Sequence, residues 1–557
     1  MKKLLSVAVA LLALAAAPTA LADSGGFQAG IQNAVTQQLA LGLAKSDQNA
    51  VNANVPVSIA GGAVSAGPSN ATQTATSTAT TDVSNKAKTD QDQHLSQNIG
   101  GSGCSAGCGG AGGFQAGAQQ ADTQQAAVGI AKSDQNAVNA NVPVSIAGGN
   151  VSSGSSAANQ KADSTANADV SNKAKTDQDQ HQSQTIGGGS CAAGCGGAGG
   201  FQAGVQKADT HQGAIGVAKS DQNAVNANVP VSIAGKDVRS GSSSANQDAS
   251  SNAEATVSNK AKTDQDQQLD QTIGGSGSCK AGCGGAGGFQ LGIQDANTEQ
   301  LAAGIATSHQ NAVNANVPVS IAGGNVSSGS SDATQTATST ANADVKNKAK
   351  TDQDQHLSQD IGGSGCYAGC GGAGGFQAGI QKADTKQLAL GLAKSDQNAV
   401  NGNAPVAIAG KDVSTGPSNA TQTATSNATA QVTNSAKTDQ YQSLRQNVGS
   451  DKGCGCDGKV RERKGDDYGR AGCHAGCGGS GGFQLGIQNA ETKQIALGLA
   501  KSDQNAVNGN SPHSTAGGNI YADGPSAATQ TATSDADDAV RNRARTNQNQ
   551  WSPQDLG

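Results

Sequence analysis

The stretch Ala71-Thr-Gln-Thr-Ala-Thr-Ser-Thr-Ala-Thr-Thr-Asp-Val-Ser-Asn-Lys-Ala-Lys-Thr-Asp-Gln-Asp-Gln-His-Leu-Ser-Gln-Asn-Ile99 alternates from end to end. Its odd positions are small, amide or aliphatic, among them Ala71, Gln73, Ser77, Val83, Gln91, Leu95 and Ile99. Its even positions carry threonine from Thr72 to Thr80, then Asp82, Ser84, Lys86, Lys88, Asp90, Asp92 and His94. A period of two marks a strand whose two faces meet different surroundings. The amide face predicts ladders, because glutamines and asparagines stacked on their own kind hydrogen-bond along the stack, as in cross-β packing. A core of that kind is narrow and needs few large apolar side chains.

Just upstream lies Ser46-Asp-Gln-Asn-Ala-Val-Asn-Ala-Asn-Val-Pro-Val-Ser-Ile-Ala-Gly61, which returns almost letter for letter at 133–148 and 220–235 and with changes from Ser308, Ser395 and Ser502. All six phenylalanines sit in Gly-Gly-Phe, at 27, 114, 201, 289, 376 and 483, spaced by 87, 87, 88, 87 and 107. A fixed period of this kind signals a repeat architecture in which each unit is stabilised by stacking on its neighbours. The expected fold is all-β: a tandem-repeat, β-solenoid-like array of six units of about 87 residues, joined by Gly/Cys-rich segments. The divisions are repeat 1 at 23–109, repeat 2 at 110–196, repeat 3 at 197–284, repeat 4 at 285–371, repeat 5 at 372–478 with a charged insert at 450–470, and a degenerate, cap-like repeat 6 at 479–557.

The first half of a unit is less plain. Phe27, Ile31, Val35, Leu39 and Leu43 are spaced by four, as on a helix, yet share their parity with Leu41, Val51, Val55, Val57 and Ile59, as on a strand. Asp122, Asp209 and Asp384 replace Val35 in other copies, and Gly42 sits inside the would-be helix. Strands are therefore expected here as well. Pro56 cannot donate to a ladder and belongs at an edge, bulge or corner, and Gly61-Gly62 and Gly67-Pro68-Ser69 mark turns. The unit then reads as several short strands, enough for three or four solenoid rungs.

Residues 1–22 read as a secretory leader: Lys2 and Lys3, an apolar run from Leu4 to Ala17, and the small-x-small site Ala20-Leu21-Ala22. No later run has the roughly 20 apolar residues of a membrane span. The expected location is outside the cell or at its surface. Aromatics are 2 %, charged residues 14 %, and glycine 78 of 557. The net charge of −6 gives no basic excess for nucleic acid. Ligand pockets are lined mainly by apolar and aromatic residues, which are scarce here, so no enzyme is expected.

Twelve cysteines lie in the joints: Cys104, Cys108, Cys191, Cys195, Cys279, Cys283, Cys366, Cys370, Cys454, Cys456, Cys473 and Cys477. In a secreted chain they are disulfide candidates, within a joint or between chains. Each cysteine pair offers two thiols where a metal needs four ligands, so no metal or cofactor site is expected. The pairs Asp90/Asp92, Asp177/Asp179, Asp264/Asp266 and Asp352/Asp354 put two carboxylates on one strand face, as do His94, His181 and His356 nearby. A solvated polar face accounts for them better than calcium, which takes six or more oxygens. No nucleophile–base pairing and no phosphate loop is present, so no catalytic residue is named. The threonine comb Thr72–Thr80 resembles an ice-binding face, though plain β propensity also accounts for it.

Asn49-Ala-Val-Asn-Ala-Asn-Val-Pro-Val-Ser-Ile-Ala-Gly61 resembles the core of the chaplins, secreted proteins that coat the aerial hyphae and spores of filamentous actinobacteria. Chaplins carry a cysteine near that glycine, where this chain has Ala60, and their units are shorter. The pattern of Gln28, Gly30, Asn33 and Gln37 is more loosely similar to curli-type amyloid repeats, with a different spacing. These resemblances imply a self-associating, β-rich surface coat. The expected function is a secreted, non-enzymatic structural repeat protein of the cell or spore surface, amyloid-like in its strand stacking, with disulfide-locked joints. Its expected partners are further copies of itself and a cell-wall or surface contact. The alternatives are an adhesin or ligand-binding repeat and, third, an ice-binding protein.

Overall fold

In the computed structural model the structure describes residues 25–100, 112–187, 199–273, 287–363, 374–450, 481–522 and 525–556. The stretch 1–22 read as a leader, the charged insert apart from Ser450, and all twelve cysteines fall outside these residues. Each repeat is a single rung. In the first, β1 (Gly25–Asn54) and β4 (Ser69–Gly100) are long, and β2 (Val57–Ala60) and β3 (Val64–Ala66) are short. The short pair forms the corner between the long ones, with Pro56, Gly61-Gly62 and Gly67-Pro68 at its breaks. The same four strands recur in every rung, and the last one breaks at Ser552-Pro553 and resumes as Gln554–Leu556.

The strands of successive rungs pair in parallel and in register. Phe27 lies beside Phe114, Gln28 beside Gln115, and so on to Asn54 beside Asn141. Four sheets result, and in each the six repeats stand in chain order. The all-β repeat architecture is therefore as expected from sequence. The inner layout is not. Three or four rungs of short strands per unit give way to one rung whose long strands are 30 and 32 residues, about 100 Å each at 3.3 Å per residue. The helical spacing of Phe27 to Leu43 is incidental to a strand.

The β1 sheet and the β4 sheet stack face to face, and their inner faces form the core. The apolar part of that core is mostly alanine, with columns of Val83, Val170, Val257, Val345 and Val432, and of Ile99, Ile186, Ile273, Ile361 and Val448. Glycines of the β1 sheet face these larger residues. A Cβ on Gly304 would stand 2.8 Å from Val345 Cγ2, and one on Gly216 would stand 2.9 Å from Val257 Cγ2. Glycine is thus the size complement that lets the sheets approach.

The amide ladders are present. Gln160 donates to Gln73 at 2.9 Å, Gln247 to Gln160 at 2.7 Å, and Gln335 to Gln247 at 2.7 Å. Asn139 and Asn226 continue a ladder from Asn52 at 2.9 Å per step. A buried amide that satisfies itself along the stack avoids the cost of an orphaned polar group. Hydroxyls add two zippers that cross between the sheets. One runs Thr89, Thr123, Thr176, Thr210 at 2.8 to 3.0 Å. The other runs Ser77, Ser133, Ser164, Ser220 at 2.8 to 3.0 Å.

Candidate functional site

Because the inner faces are spent on ladders, the surfaces that the described long strands offer for recognition are their outer faces and the ends of the stack. The two outer faces differ in kind. The β4 sheet turns its even positions outward, and these are the threonines, lysines and carboxylates of the opening stretch. Within each strand a lysine pairs with the aspartate two residues on, as in Lys88–Asp90 and Lys262–Asp264. His94 stacks on His181 at 5.1 Å, and His356 leans on Tyr441 at 5.4 Å. The second carboxylate row runs Asp92, Asp179, Asp266, Asp354 up the stack. Partial burial first, and then the charges of Asp179 and Asp354, push the Asp266 carboxyl above the usual range. Burial likewise raises Asp264 and Asp354.

Among the described residues no group of three or more His, Cys, Asp or Glu side chains is arranged to hold a metal. The threonine comb is broken in register: Thr72 meets Asn159, Thr74 meets Lys161, and Thr76 meets Asp163. It resumes in the fourth and fifth rungs as Thr334, Thr336, Thr338 and Thr421, Thr423, Thr425.

The β1 sheet turns its aliphatic parity outward. Phe27, Ile31, Leu39, Leu41 and Leu43 are more than half exposed. The six Gly-Gly-Phe rings lie on this outer face. They form one outer stack with centroids 4.8 to 5.2 Å apart and planes within 10°. Two charged bands cross this apolar face. One carries the doublets Lys207–Asp209 at 2.7 Å and Lys382–Asp384 at 3.0 Å. The other carries Lys132–Asp134 at 2.6 Å, Lys219–Asp221 at 2.7 Å and Lys394–Asp396 at 2.5 Å. In the fourth rung His309 bridges Asp221 at 3.0 Å and Asp396 at 3.1 Å. Between the bands an open groove of about 1080 Å³ crosses all six rungs along Leu39, Ala126, Gly213, Leu301, Leu388 and Ile495. Along its side His211, Glu299 and Lys386 pair at 3.2 and 3.0 Å.

The two ends of the stack are the third kind of surface. Among the described residues, β1 pairs only with Gly112–Asn141 and Gly481–Asn510 only with Gly374–Asn403, so each presents a 30-residue edge that no described strand covers. Sequence reasoning missed this surface because a rung of one repeat was not anticipated. The signal was the near-identity of β1 and its counterpart Gly481–Asn510 in the last copy.

No helix of the described residues is long and apolar enough to cross a membrane. No protein-family model, no curated protein and no solved structure matches this chain.

Proposed function

We propose that the chain is a secreted, non-enzymatic structural protein of the cell or spore surface that self-associates end to end by strand stacking. The observation that carries this reading is the fit between the two open edges. β1 and Gly481–Asn510 differ only at 29/485, 35/491, 37/493, 39/495 and 53/509. All five lie on the outer face. Every inward ladder residue of the first rung, from Gln28 to Asn54, has its equal in the last. The final rung of one copy therefore offers the next copy the same amides and the same register that rungs offer each other inside the chain. A long, flat, unprotected edge is a template for pairing, and a head-to-tail contact that does not close makes a filament.

The β4 sheet ends differently. Asp538 stands in the inward row of Thr81, and Ser552-Pro553 breaks the strand. An inward charge and a break both blunt an edge. End-to-end growth then relies on the β1 sheet, with the β4 edge limiting it. The leader-like stretch at 1–22 supports a place outside the cell, and the cysteine pairs of the joints would cross-link the assembly.

The test is seeded assembly of the purified chain, followed by electron microscopy. Filaments that grow from sheared seeds, with a 4.7–4.8 Å repeat along their axis, support the reading. A monodisperse monomer that ignores seeds at every concentration would rule it out.

A further inference from the structure

The outer face of the β1 sheet carries a two-fold pattern. Take position 40 of the first rung, the middle of β1, and its equivalents above as an axis along the stack. Rotating a second copy by half a turn about this axis lays its outer face on the first, rung upon equal rung, with strands antiparallel. Position 35 then meets 45, and position 33 meets 47. Asp122 faces Lys132, Asp209 faces Lys219, Asp384 faces Lys394, and Glu491 faces Lys501. Lys207 faces Asp221 and Lys382 faces Asp396. The fourth rung is the informative one. It has lost the usual lysine and aspartate of positions 45 and 47, which are Thr307 and His309 there. Their partners have changed as well: Thr307 meets Asn297, and His309 meets Asp295. No rung places like charges together.

Size follows the same axis. Each phenylalanine, at position 27, meets position 53, which is alanine in four rungs and Gly402 or Gly509 in the others. Positions 39 and 41 meet, and where one is Gly213 the other is Ile215, while Leu301 meets Ala303. The polar row of His211 and Glu299 faces the aliphatic row of position 43; His211, Glu299 and Lys386 are paired along the stack, and Lys493 is paired with Glu491 in its own strand. The other two-fold, with its axis along the strands, would set lysine rows on lysine rows and aspartate rows on aspartate rows.

We propose that the outer face of the β1 sheet is an interface with a second copy of this chain, paired about an axis along the stack through position 40. The face measures about 100 Å by about 25 Å from strand length and rung spacing. That is about three times the roughly 800 Å² per partner of a standard interface. Charged bands held as fixed ion pairs suit a facing protein row of opposite order, whereas hydrocarbon would have to desolvate them. Such a pair is closed and needs no end-to-end growth. Its axis runs along the stack, so it also leaves both ends free to grow.

The test is sedimentation equilibrium of the purified chain and two variants, with circular dichroism as the check on folding. The parent is expected to be a dimer. K132D/K219D/K394D should weaken pairing at least tenfold. Adding D122K/D209K/D384K should restore it to within a few-fold. Rows 35 and 45 lie about 33 Å apart in one copy, so this rescue cannot arise within a chain. A parent that stays monomeric would overturn the proposal, including one that binds neutral phosphatidylcholine vesicles through this face instead. So would a folded six-fold variant that stays apart. Should the variants misfold, carbodiimide coupling of mixed isotope-labelled and unlabelled parent decides. Asp122–Lys132 links between copies support the pairing, and their absence refutes it. Single-slab filaments would retain end-to-end growth and refute only the face pairing, while dimers that never elongate would do the reverse.

Discussion

At the residue scale, the core depends on each column matching its kind. Gln182 breaks this rule. It stands in the column of Leu95, Leu269, Leu357 and Leu444, is 1 % exposed, and neither amide atom has a partner. A buried amide left unpaired costs about 1–3 kcal/mol. Gln182→Leu should therefore stabilise the chain by about that amount, read as a higher urea midpoint with an unchanged slope. A lower midpoint would mean that the leucine column cannot extend into the second rung. The ladders of Gln73 and Asn52 show the opposite case, where an amide in an amide column bonds to its neighbour along the stack. Which residues would ladder was legible in the sequence, since parity alone put Gln73, Gln91 and Gln97 on one face. That Gln182 lies among leucines became visible only with the register.

At the element scale, parallel in-register strands stack like on like, and this favours amides and aromatics but penalises charge. The chain meets this cost mostly by alternating Lys and Asp within a strand. The row of Asp179, Asp266 and Asp354 has no lysine between its members; burial raises the Asp266 and Asp354 carboxyls, and at Asp266 the charges of Asp179 and Asp354 add to it. A carboxyl raised in the folded state holds its proton more tightly there than in the unfolded chain, so its protonation favours folding. These groups make the fold gain stability as pH falls from neutral through their raised range. Asp221, Glu299 and Asp439 are held low by their partners, so their contribution is lost only in stronger acid. Asp266→Asn should raise the melting temperature at pH 7, with the gain shrinking as pH falls into the carboxylate range. A gain that is constant with pH would show that the row's charge is not the cause. Strand identity was legible from alternation, but strand length was not. Strands usually run to five or six residues, and alternation continues unchanged whether a strand turns or goes on. Only Pro56, Gly61-Gly62 and Gly67-Pro68 mark a corner, and taken literally they allow just two long strands per repeat.

At the scale of the whole molecule, one rung per repeat explains why copies are so alike. Every residue must fit its own equivalents above and below, so the repeat is the ladder. It also explains a composition with few large apolar residues, since a two-sheet slab filled mainly by Ala, Gln, Asn, Ser and Thr needs only a few columns of Val, Leu and Ile inside. The sequence showed the period and the parity. It did not show which parity of β1 faces in, because both rows are uncharged over most of their length, nor the charge pattern of that face, which exists only once rungs are in register. The claim on which all else rests is that equivalent positions of successive repeats are stacked neighbours within one chain. Replacing Phe201 and Phe289 by tryptophan tests it directly, because their rings stack 4.9 Å apart. In dilute monomer the F201W/F289W chain should show an exciton couplet in its circular dichroism that neither single variant shows. A double variant equal to the sum of the singles would contradict the one-rung repeat, and a couplet already present in the singles would place the stacking between chains.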